Sequence, residues 1–221
     1  MMNNTTTFSL AQWPATTLAS AFLIIWYMVG TVGILIPVHE QFVLLTPLNL
    51  LLSLAIVFYF HNDWNARTVG VLACCFVGGY AAELFGVHTG LLFGNYAYGP
   101  VLGWKWQETP LMIGVNWMML VYCIGTTINR FLERSGWLVK VLMGAALMVS
   151  LDILIEPVAM YYDFWSWEGN VVPIKNYIGW FGVSLPLFGL FFWQLPKARN
   201  KVAFVLLLIQ FLFFWILGLS W

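Results

Sequence analysis

The fold is decided by stretches such as Trp137–Met160, WLVKVLMGAALMVSLDILIEPVAM, which carries three charged residues in an otherwise almost wholly apolar run. A helix that crosses the hydrocarbon core of a bilayer needs roughly 20 mainly apolar residues. In lipid the backbone must satisfy its own hydrogen bonds, which a helix does within one segment. The stretch is therefore predicted to be a transmembrane helix.

Similar stretches lie on both sides of it. The chain of 221 residues is 62% hydrophobic and 8% charged, whereas a soluble domain has roughly a quarter of its residues charged. We predict an all-α, polytopic membrane bundle of about seven transmembrane helices, forming a single domain over residues 1–221. The predicted spans lie near residues 17–36, 42–60, 67–85, 110–132, 137–160, 177–194 and 201–220.

The positions of the cations predict the orientation, because Lys and Arg collect on the cytoplasmic side of a membrane. Lys105 and Lys175 fall at one end of the predicted bundle. The other seven fall at the opposite end: Arg67, Arg130, Arg134, Lys140, Lys197, Arg199 and Lys201. The N-terminus is therefore predicted to be cytoplasmic. As a separate expectation, the membrane is a prokaryotic cytoplasmic (inner) membrane. The formal net charge of zero gives no indication of a nucleic-acid partner.

The acidic residues show the opposite distribution. Asp63 and Glu133 fall on the predicted inner side, and the others fall toward the outer side: Glu40, Glu83, Glu108, Asp152, Glu156, Asp163 and Glu168. Acidic residues contribute little to membrane topology. Their distribution therefore indicates a functional site toward the outer face.

Three of these carboxylates lie within predicted spans. Asp152 and Glu156 are four residues apart, so they share one face of a helix and are separated by about 6 Å along its axis; Glu83 lies near the outer end of another span. An Asp at the centre of a membrane helix costs about 2.5–3.5 kcal/mol on insertion scales, so such residues are usually functional or paired. Desolvation and mutual repulsion should leave at least one of the pair protonated, as an acid able to donate a proton. The alternative is that these residues cap or cross-link helices.

The segment after Glu83, which contains several glycines, is predicted to be a loop that forms a lid or a wall of the site. Its polar residues His88, Asn95 and Tyr98 could hold a water molecule. Aromatic residues make up 18% of the chain and are abundant toward the outer side. Some belong to an interfacial belt, and others could hold a polyene or stabilise a carbocation through their ring faces.

Four segments carry a resemblance to a known family. They are Glu83–Tyr98 (E-x-x-G-V-H-T-G-x-x-F-G-x-Y-x-Y), Pro110–Trp117, Asp152–Pro157 (D-x-x-x-E-P) and Phe164–Trp180 (F-W-x-W followed by P-I-x-N-Y-x-G-W). Over roughly residues 70–185 the chain resembles the membrane carotenoid-biosynthesis proteins that include the CruF-type carotenoid hydratases. The resemblance implies addition of water across the terminal C1–C2 double bond of an acyclic carotenoid taken from the membrane lipids, with no cofactor.

This reaction fits the carboxylates, because protonation of the alkene demands an acid in a dry site and a positioned water. Our hypothesis is that Asp152 donates the proton and Glu156 tunes it, although spacing alone does not separate acid from base. Glu83 with His88 would orient or deprotonate the water. The predicted substrate-binding residues are Asn95, Tyr96, Tyr98, Trp117, Asn176, Tyr177 and Trp180.

Other functions stay open at this stage. A carotenoid cyclase of the lycopene-cyclase kind would use the same acid and let an internal alkene capture the cation. A retinal protein needs a Schiff-base lysine, and the predicted last span, Val202–Ser220, contains none. Three histidines without i, i+4 spacing disfavour a metal site. A membrane transporter or scaffold is the non-enzymatic alternative.

Overall fold

The computed structural model describes residues 13–36 and 39–220, with only the backbone of His39 and Glu40. The helices in this part of the chain are α1 (Ala15–Leu35), α2 (His39–Val43), α3 (Thr46–Tyr59), α4 (Ala66–Thr89), α5 (Leu111–Phe131), α6 (Trp137–Tyr161), α7 (Ile174–Gln194) and α8 (Lys201–Gly218). Four short strands lie in the connections: β1 (Tyr96–Tyr98), β2 (Lys105–Trp106), β3 (Thr109–Pro110) and β4 (Trp165–Trp167).

The helices have the lengths that a membrane requires. Among the described residues, six helical stretches are long and apolar enough to cross a bilayer: α1, Gln41–Tyr59, α4, α5, α6 and α8. Helix α7 is also 21 residues long, and polar residues such as Lys175 and Asn176 lie in its first turn. Each predicted span corresponds to helical structure, so the predicted all-α membrane bundle is confirmed.

The second predicted span, 42–60, is not one continuous helix. Helix α2 ends at Val43, and α3 begins at Thr46 with a proline at its start. Proline is favoured there because its missing N–H would have no partner in the first helical turn. The first two predicted spans, 17–36 and 42–60, leave residues 37–41 as their connection. Residues 39–41 are helical, and Pro37 and Val38 lie outside the described residues.

Helix α4 extends further than the sequence analysis predicted. The loop was expected to start at Gly86, which was wrong, because the helix continues to Thr89. It ends where Gly90 adopts a left-handed conformation, with φ 62°, which is a common way to end a helix. Gly86 lies inside the helix, where the Phe93 ring packs against it in the space that a side chain would fill.

Helix α5 lies at the centre of the bundle. In its most apolar stretch of 18 residues, 78% of the residues are buried, against 22% in the corresponding stretch of α1. It packs against α3, α4, α6, α7 and α8. The poorly buried faces of the outer helices present apolar side chains such as Ile25 and Met28, each 61% exposed. In a bilayer these faces contact lipid.

The two ends of the bundle differ in composition. At one end the α3–α4, α5–α6 and α7–α8 connections meet: the Asn129 amide donates to the carbonyls of Leu195 and Ala198, and the Asn200 amide donates to that of Val57. This end carries the group of seven cations. At the other end the α4–α5 connection pairs with the α6–α7 connection through β1 and β4, and the buried acids gather beneath this pairing.

Candidate functional site

The two strands β1 and β4 bring four large rings together. They pair antiparallel, with Tyr96 opposite Trp167 and Tyr98 opposite Trp165. Alternate residues of a strand face the same side, so both tyrosines and both tryptophans point the same way. The ring centroids lie 4.9 Å apart in the first pair and 6.0 Å apart in the second. We call this pair of strands the donor sheet, because all four side chains donate hydrogen bonds to buried carboxylates.

The tyrosines of the donor sheet bind Glu83. This residue lies on α4 and is 2% exposed. Its Oε2 accepts hydrogen bonds from the hydroxyls of Tyr96 at 2.6 Å and Tyr98 at 2.7 Å. Its Oε1 accepts one from the indole N–H of Trp117 on α5, at 3.0 Å. Glu83 therefore has a donor set of three neutral groups from two different elements.

A glycine on α4 allows Trp117 to come this close. Gly79 lies one helical turn before Glu83 on the same face. A Cβ at this position would be 2.4 Å from Cβ and Cγ of Trp117, so a larger residue would displace the indole. The close approach of the two helices at Gly79 thus positions the Trp117 N–H on Glu83.

The tryptophans of the donor sheet bind Glu156. Its Oε2 accepts hydrogen bonds from the indole N–H groups of Trp165 at 2.9 Å and Trp167 at 2.7 Å. Its Oε1 accepts one from the Asn176 amide at 2.9 Å. Strand β4 follows α6 after a short turn, so the chain folds back to cover an acid on its own helix.

Asn176 connects Glu156 with Asp152. Its Nδ2 also donates to Oδ2 of Asp152, at 2.8 Å, so one amide group holds both acids of α6. The sequence analysis placed Asn176 in the connection, whereas the structure places it in the first turn of α7. The positive end of the α7 dipole therefore lies close to the two acids, which favours negative charge there.

Asp152 differs from the other two acids in its partners. It is completely buried, and its Oδ1 has no hydrogen-bond partner among the described residues. A buried oxygen without a partner is uncommon and costly. Glu83 and Glu156 each accept three hydrogen bonds, whereas Asp152 accepts one.

The donors around the three acids are all uncharged. They are phenols, indoles and one amide. The ion pair found among the described residues, Arg199 with Glu133, lies at the other end of the bundle. The described residues contain no group of three or more His, Cys, Asp or Glu arranged to hold a metal ion. The acids are thus held by hydrogen bonds and a helix dipole.

The tyrosines of the donor sheet remain protonated. Burial raises the pKa of the Tyr98 phenol well above its ordinary value, and the neighbouring Glu83 carboxylate raises it further. The same two causes, in the same order, raise the pKa of Tyr96. Both hydroxyls therefore keep the proton that they donate to Glu83 at neutral pH.

A tryptophan pair joins the two parts of the site. Trp117, which binds Glu83, stacks on Trp180 of α7 with centroids 4.4 Å apart and planes at 26°. Trp180 lies one turn after Asn176 on the same face of α7. The Glu83 part and the part formed by Asp152 and Glu156 are therefore connected through packed rings, both here and across the donor sheet.

Most of the predicted site residues lie together. Those brought into this hydrogen-bonded and stacked group are Glu83, Tyr96, Tyr98, Trp117, Asp152, Glu156, Asn176 and Trp180. Tyr177 lies half-buried beside Asn176.

His88 and Asn95 do not join the group. His88 is exposed on the last turn of α4, and its Nδ1 bonds to the carbonyl of Leu84. Five residues correspond to about 140° around a helix, which directs His88 away from the face that carries Glu83. Asn95 is also exposed, and its amide donates to Glu168 at 2.6 Å. Glu83 and His88, which were predicted to act together on a water molecule, therefore point to different sides of α4.

The sequence analysis did not identify Trp165 and Trp167 as site residues. Both are buried and donate directly to Glu156. A signal was available, because Tyr96-Ala97-Tyr98 and Trp165-Ser166-Trp167 each place two rings on one face of an extended strand. Two such triplets in connections at the same end of the bundle are suited to pair.

Comparison with known proteins identifies the family. The family model described as carotenoid biosynthesis protein matches residues 42–220. A curated relative, bisanhydrobacterioruberin hydratase of Haloarcula japonica, is 29% identical over 113 residues, which cover 46% of this chain and 36% of that relative. The match thus spans little more than a third of the relative's length. No solved structure matches the chain. Because the family model covers well over half of the sequence, the chain belongs to the carotenoid biosynthesis protein family.

Proposed function

We propose that the protein is a carotenoid hydratase, which adds water across the terminal C1–C2 double bond of an acyclic carotenoid end group. The observation that carries this proposal is the unpartnered, buried Oδ1 of Asp152 beside two fully hydrogen-bonded acids. Membership of the carotenoid biosynthesis family supports the substrate class. The relative from Haloarcula japonica is named a hydratase, which supports the type of reaction.

The hydrogen bonds favour Asp152 as the acid. A proton on Glu83 or Glu156 would have to share an oxygen that already accepts an O–H or N–H bond. A proton on Oδ1 of Asp152 displaces no donor. Asp152 is therefore the carboxyl that carries the proton, and Asn176 holds its other oxygen in place.

The reaction then proceeds in two steps that balance. The π electrons of the alkene take the proton from Oδ1 of Asp152, so a C–H bond forms at C2 and a tertiary cation forms at C1. A lone pair of water forms the C1–O bond, and the proton lost from that water restores a protonated carboxyl. The sum is the addition of one water molecule to give a tertiary alcohol, without oxidation or reduction.

The surroundings suit a cationic intermediate. Glu83 and Glu156 as carboxylates provide negative charge held in fixed positions, which stabilises a developing cation more effectively than mobile solvent does. The faces of the site tryptophans provide further stabilisation of positive charge. Exclusion of bulk water strengthens these interactions and limits loss of the acid's proton to solvent.

The proposed site lies on the non-cytoplasmic side of the membrane. The opposite end of the bundle carries seven of the nine Lys and Arg residues, and cations of short loops are retained in the cytoplasm. The acyclic carotenoid would reach the site from the surrounding bilayer, where it is dissolved.

The test is to express the gene in cells that make an acyclic carotenoid such as lycopene and to measure the mass of the pigments. Wild-type protein should add the mass of one water molecule per reacted end. Asp152→Asn should give no hydrated pigment, because an amide keeps an oxygen that can accept from Asn176 but has no acidic proton. Asp63→Asn is the matched control: it makes the same change at an exposed position at the other end of the bundle, and it should leave the product unchanged.

Two outcomes would overturn the proposal. Hydrated pigment at the wild-type level from Asp152→Asn, with both proteins present in equal folded amounts, would remove Asp152 as the acid. A wild-type product of unchanged mass with ring-closed ends would replace hydration by cyclisation, in which an internal alkene captures the same cation.

A further inference from the structure

A separate apolar cavity lies next to the carboxylate site. Its volume is about 150 Å³, and it is lined by side chains of α1, α3, α5, α6 and α8 together with Trp165 of the donor sheet. An apolar cavity of this size accommodates a molecule such as benzene. It therefore matches the branched end of an isoprenoid chain, and the rest of a long polyene would have to lie outside it.

The inner wall of the cavity is shared with the site. The Trp165 ring lines the cavity, and the same indole donates its N–H to Glu156. Ile155 and Ala159 of α6 also line it. They lie three and seven residues after Asp152, on the same side of that helix. The cavity thus ends within about two helical turns of the proposed acid.

The outer end of the cavity faces the lipid. Val29 of α1 and Leu45, in the turn between α2 and α3, both line the cavity and are 54% and 49% exposed. Gly30 lies beside them in the lining, and no described atom lies within 4 Å of the position that a Cβ would take there. The absence of a side chain at Gly30 leaves a gap at this end of the cavity.

We propose that this cavity binds the terminal isoprenoid unit of the substrate, and that the unit enters sideways from the bilayer through the gap at Gly30. The proposal rests on the proposed function for the identity of the substrate. The polyene then extends from the gap into the lipid, and the reactive double bond lies at Trp165.

The test fills the gap without disturbing the fold. Gly30→Trp places a large ring in open space at the entrance. Gly70→Trp is the matched control, because Gly70 lies on the exposed face of α4, outside the cavity lining, and also has no described atom within 4 Å of a Cβ position. Both changes are made in the wild type and in Asp152→Asn, which is expected to bind the carotenoid without converting it. The measurements are pigment bound to the purified protein, hydrated pigment in the cells, and thermal unfolding in detergent.

Gly30→Trp should reduce bound pigment in the Asp152→Asn background at least tenfold and reduce hydrated product in the wild type to a similar extent, while Gly70→Trp changes neither. Unfolding temperatures should agree between the two tryptophan variants. Equal pigment in both variants, or no pigment bound to any of them, would overturn the proposed cavity and entrance. If pigment binding is lost in Gly30→Trp but the wild type yields no hydrated product, the cavity stands and the proposed reaction fails.

Discussion

Replacement of Asn176 by leucine tests the arrangement of the two acids on α6. The amide donates to Oδ2 of Asp152 and to Oε1 of Glu156, and leucine has a similar volume but no donor. The bond to a Glu156 carboxylate contributes about 1.5–3 kcal/mol, and the bond to a protonated Asp152 contributes about 0.5–1.5 kcal/mol. The variant should therefore lose about 2–4.5 kcal/mol of stability. Oδ2 of Asp152 and Oε1 of Glu156 would also lose the amide that holds them in place.

The matched control is the same change at Asn129. Both amides are 1% exposed, and Asn129 donates two hydrogen bonds to backbone carbonyls and accepts one from Lys140 at 3.2 Å. Two neutral bonds and one bond to a charged group amount to about 2.5–6 kcal/mol. The two variants should therefore lose similar stability, at opposite ends of the bundle.

The two measurements are thermal unfolding in detergent and hydrated pigment per folded molecule in carotenoid-producing cells. Asn129→Leu should keep the wild-type yield per folded molecule, whereas Asn176→Leu should lose it almost completely. Asn176 acts as a positioning residue, since it holds the acids and does not itself react. If Asn176→Leu gives as much hydrated pigment per folded molecule as the wild type, the two acids need not be held together. This conclusion would not depend on how stable the variant is.

Three further predictions concern individual contacts. Gly79→Ala should lower stability by about 1–3 kcal/mol, measured by thermal unfolding, because the new methyl group would lie 2.4 Å from Trp117 and move its indole off Glu83. Tyr98→Phe should cost about 1.5–3 kcal/mol near neutral pH, for one hydrogen bond to a charged acceptor. The pKa of Tyr98 is higher in the folded protein than its ordinary value, so the folded state binds more protons and wild-type stability falls as the pH rises above about 10. Tyr98→Phe should make this fall in stability with pH less steep. An equally steep fall in both proteins would contradict the prediction. Glu133→Gln breaks an exposed ion pair and should change stability by less than about 1 kcal/mol with no change in product.

The fold was predictable because membrane insertion leaves a strong signal in the sequence. Long apolar stretches predicted the helices of the bundle, and the cations predicted which connections lie together. Some helix ends were predicted wrongly: α4 was expected to end near residue 85 and ends at Thr89. Such ends depend on local competition between helix and loop. A glycine at 86 suggested a loop, but the position of Gly90 decides where the helix ends.

The site was predictable only where its residues are neighbours on one helix. The spacing of Asp152 and Glu156 places them on the same face, and the structure joins both to one amide. The contact of Trp165 and Trp167 with Glu156 depends on how the chain folds back after α6, and the aromatic pattern predicts which rings share a face but not which acid they reach. The predicted joint role of Glu83 and His88 did not take into account that residues five apart on a helix point about 140° apart.

The neutral character of the donors explains why this site can hold a usable acid. An arginine or lysine beside the acids would compensate their charge and remove any reason for a carboxyl to keep its proton. The two carboxylates accept from one nitrogen at 2.8 and 2.9 Å, so their nearest oxygens lie less than about 6 Å apart, and two charges at that distance repel by about 3 kcal/mol at an effective dielectric constant of about 20. The indoles and the amide that bind this pair reduce the repulsion without cancelling it. One proton on the pair therefore relieves the repulsion, and Asp152 can take it without losing a donor. The arrangement that makes the acids costly to bury is the same one that keeps a proton available for the alkene.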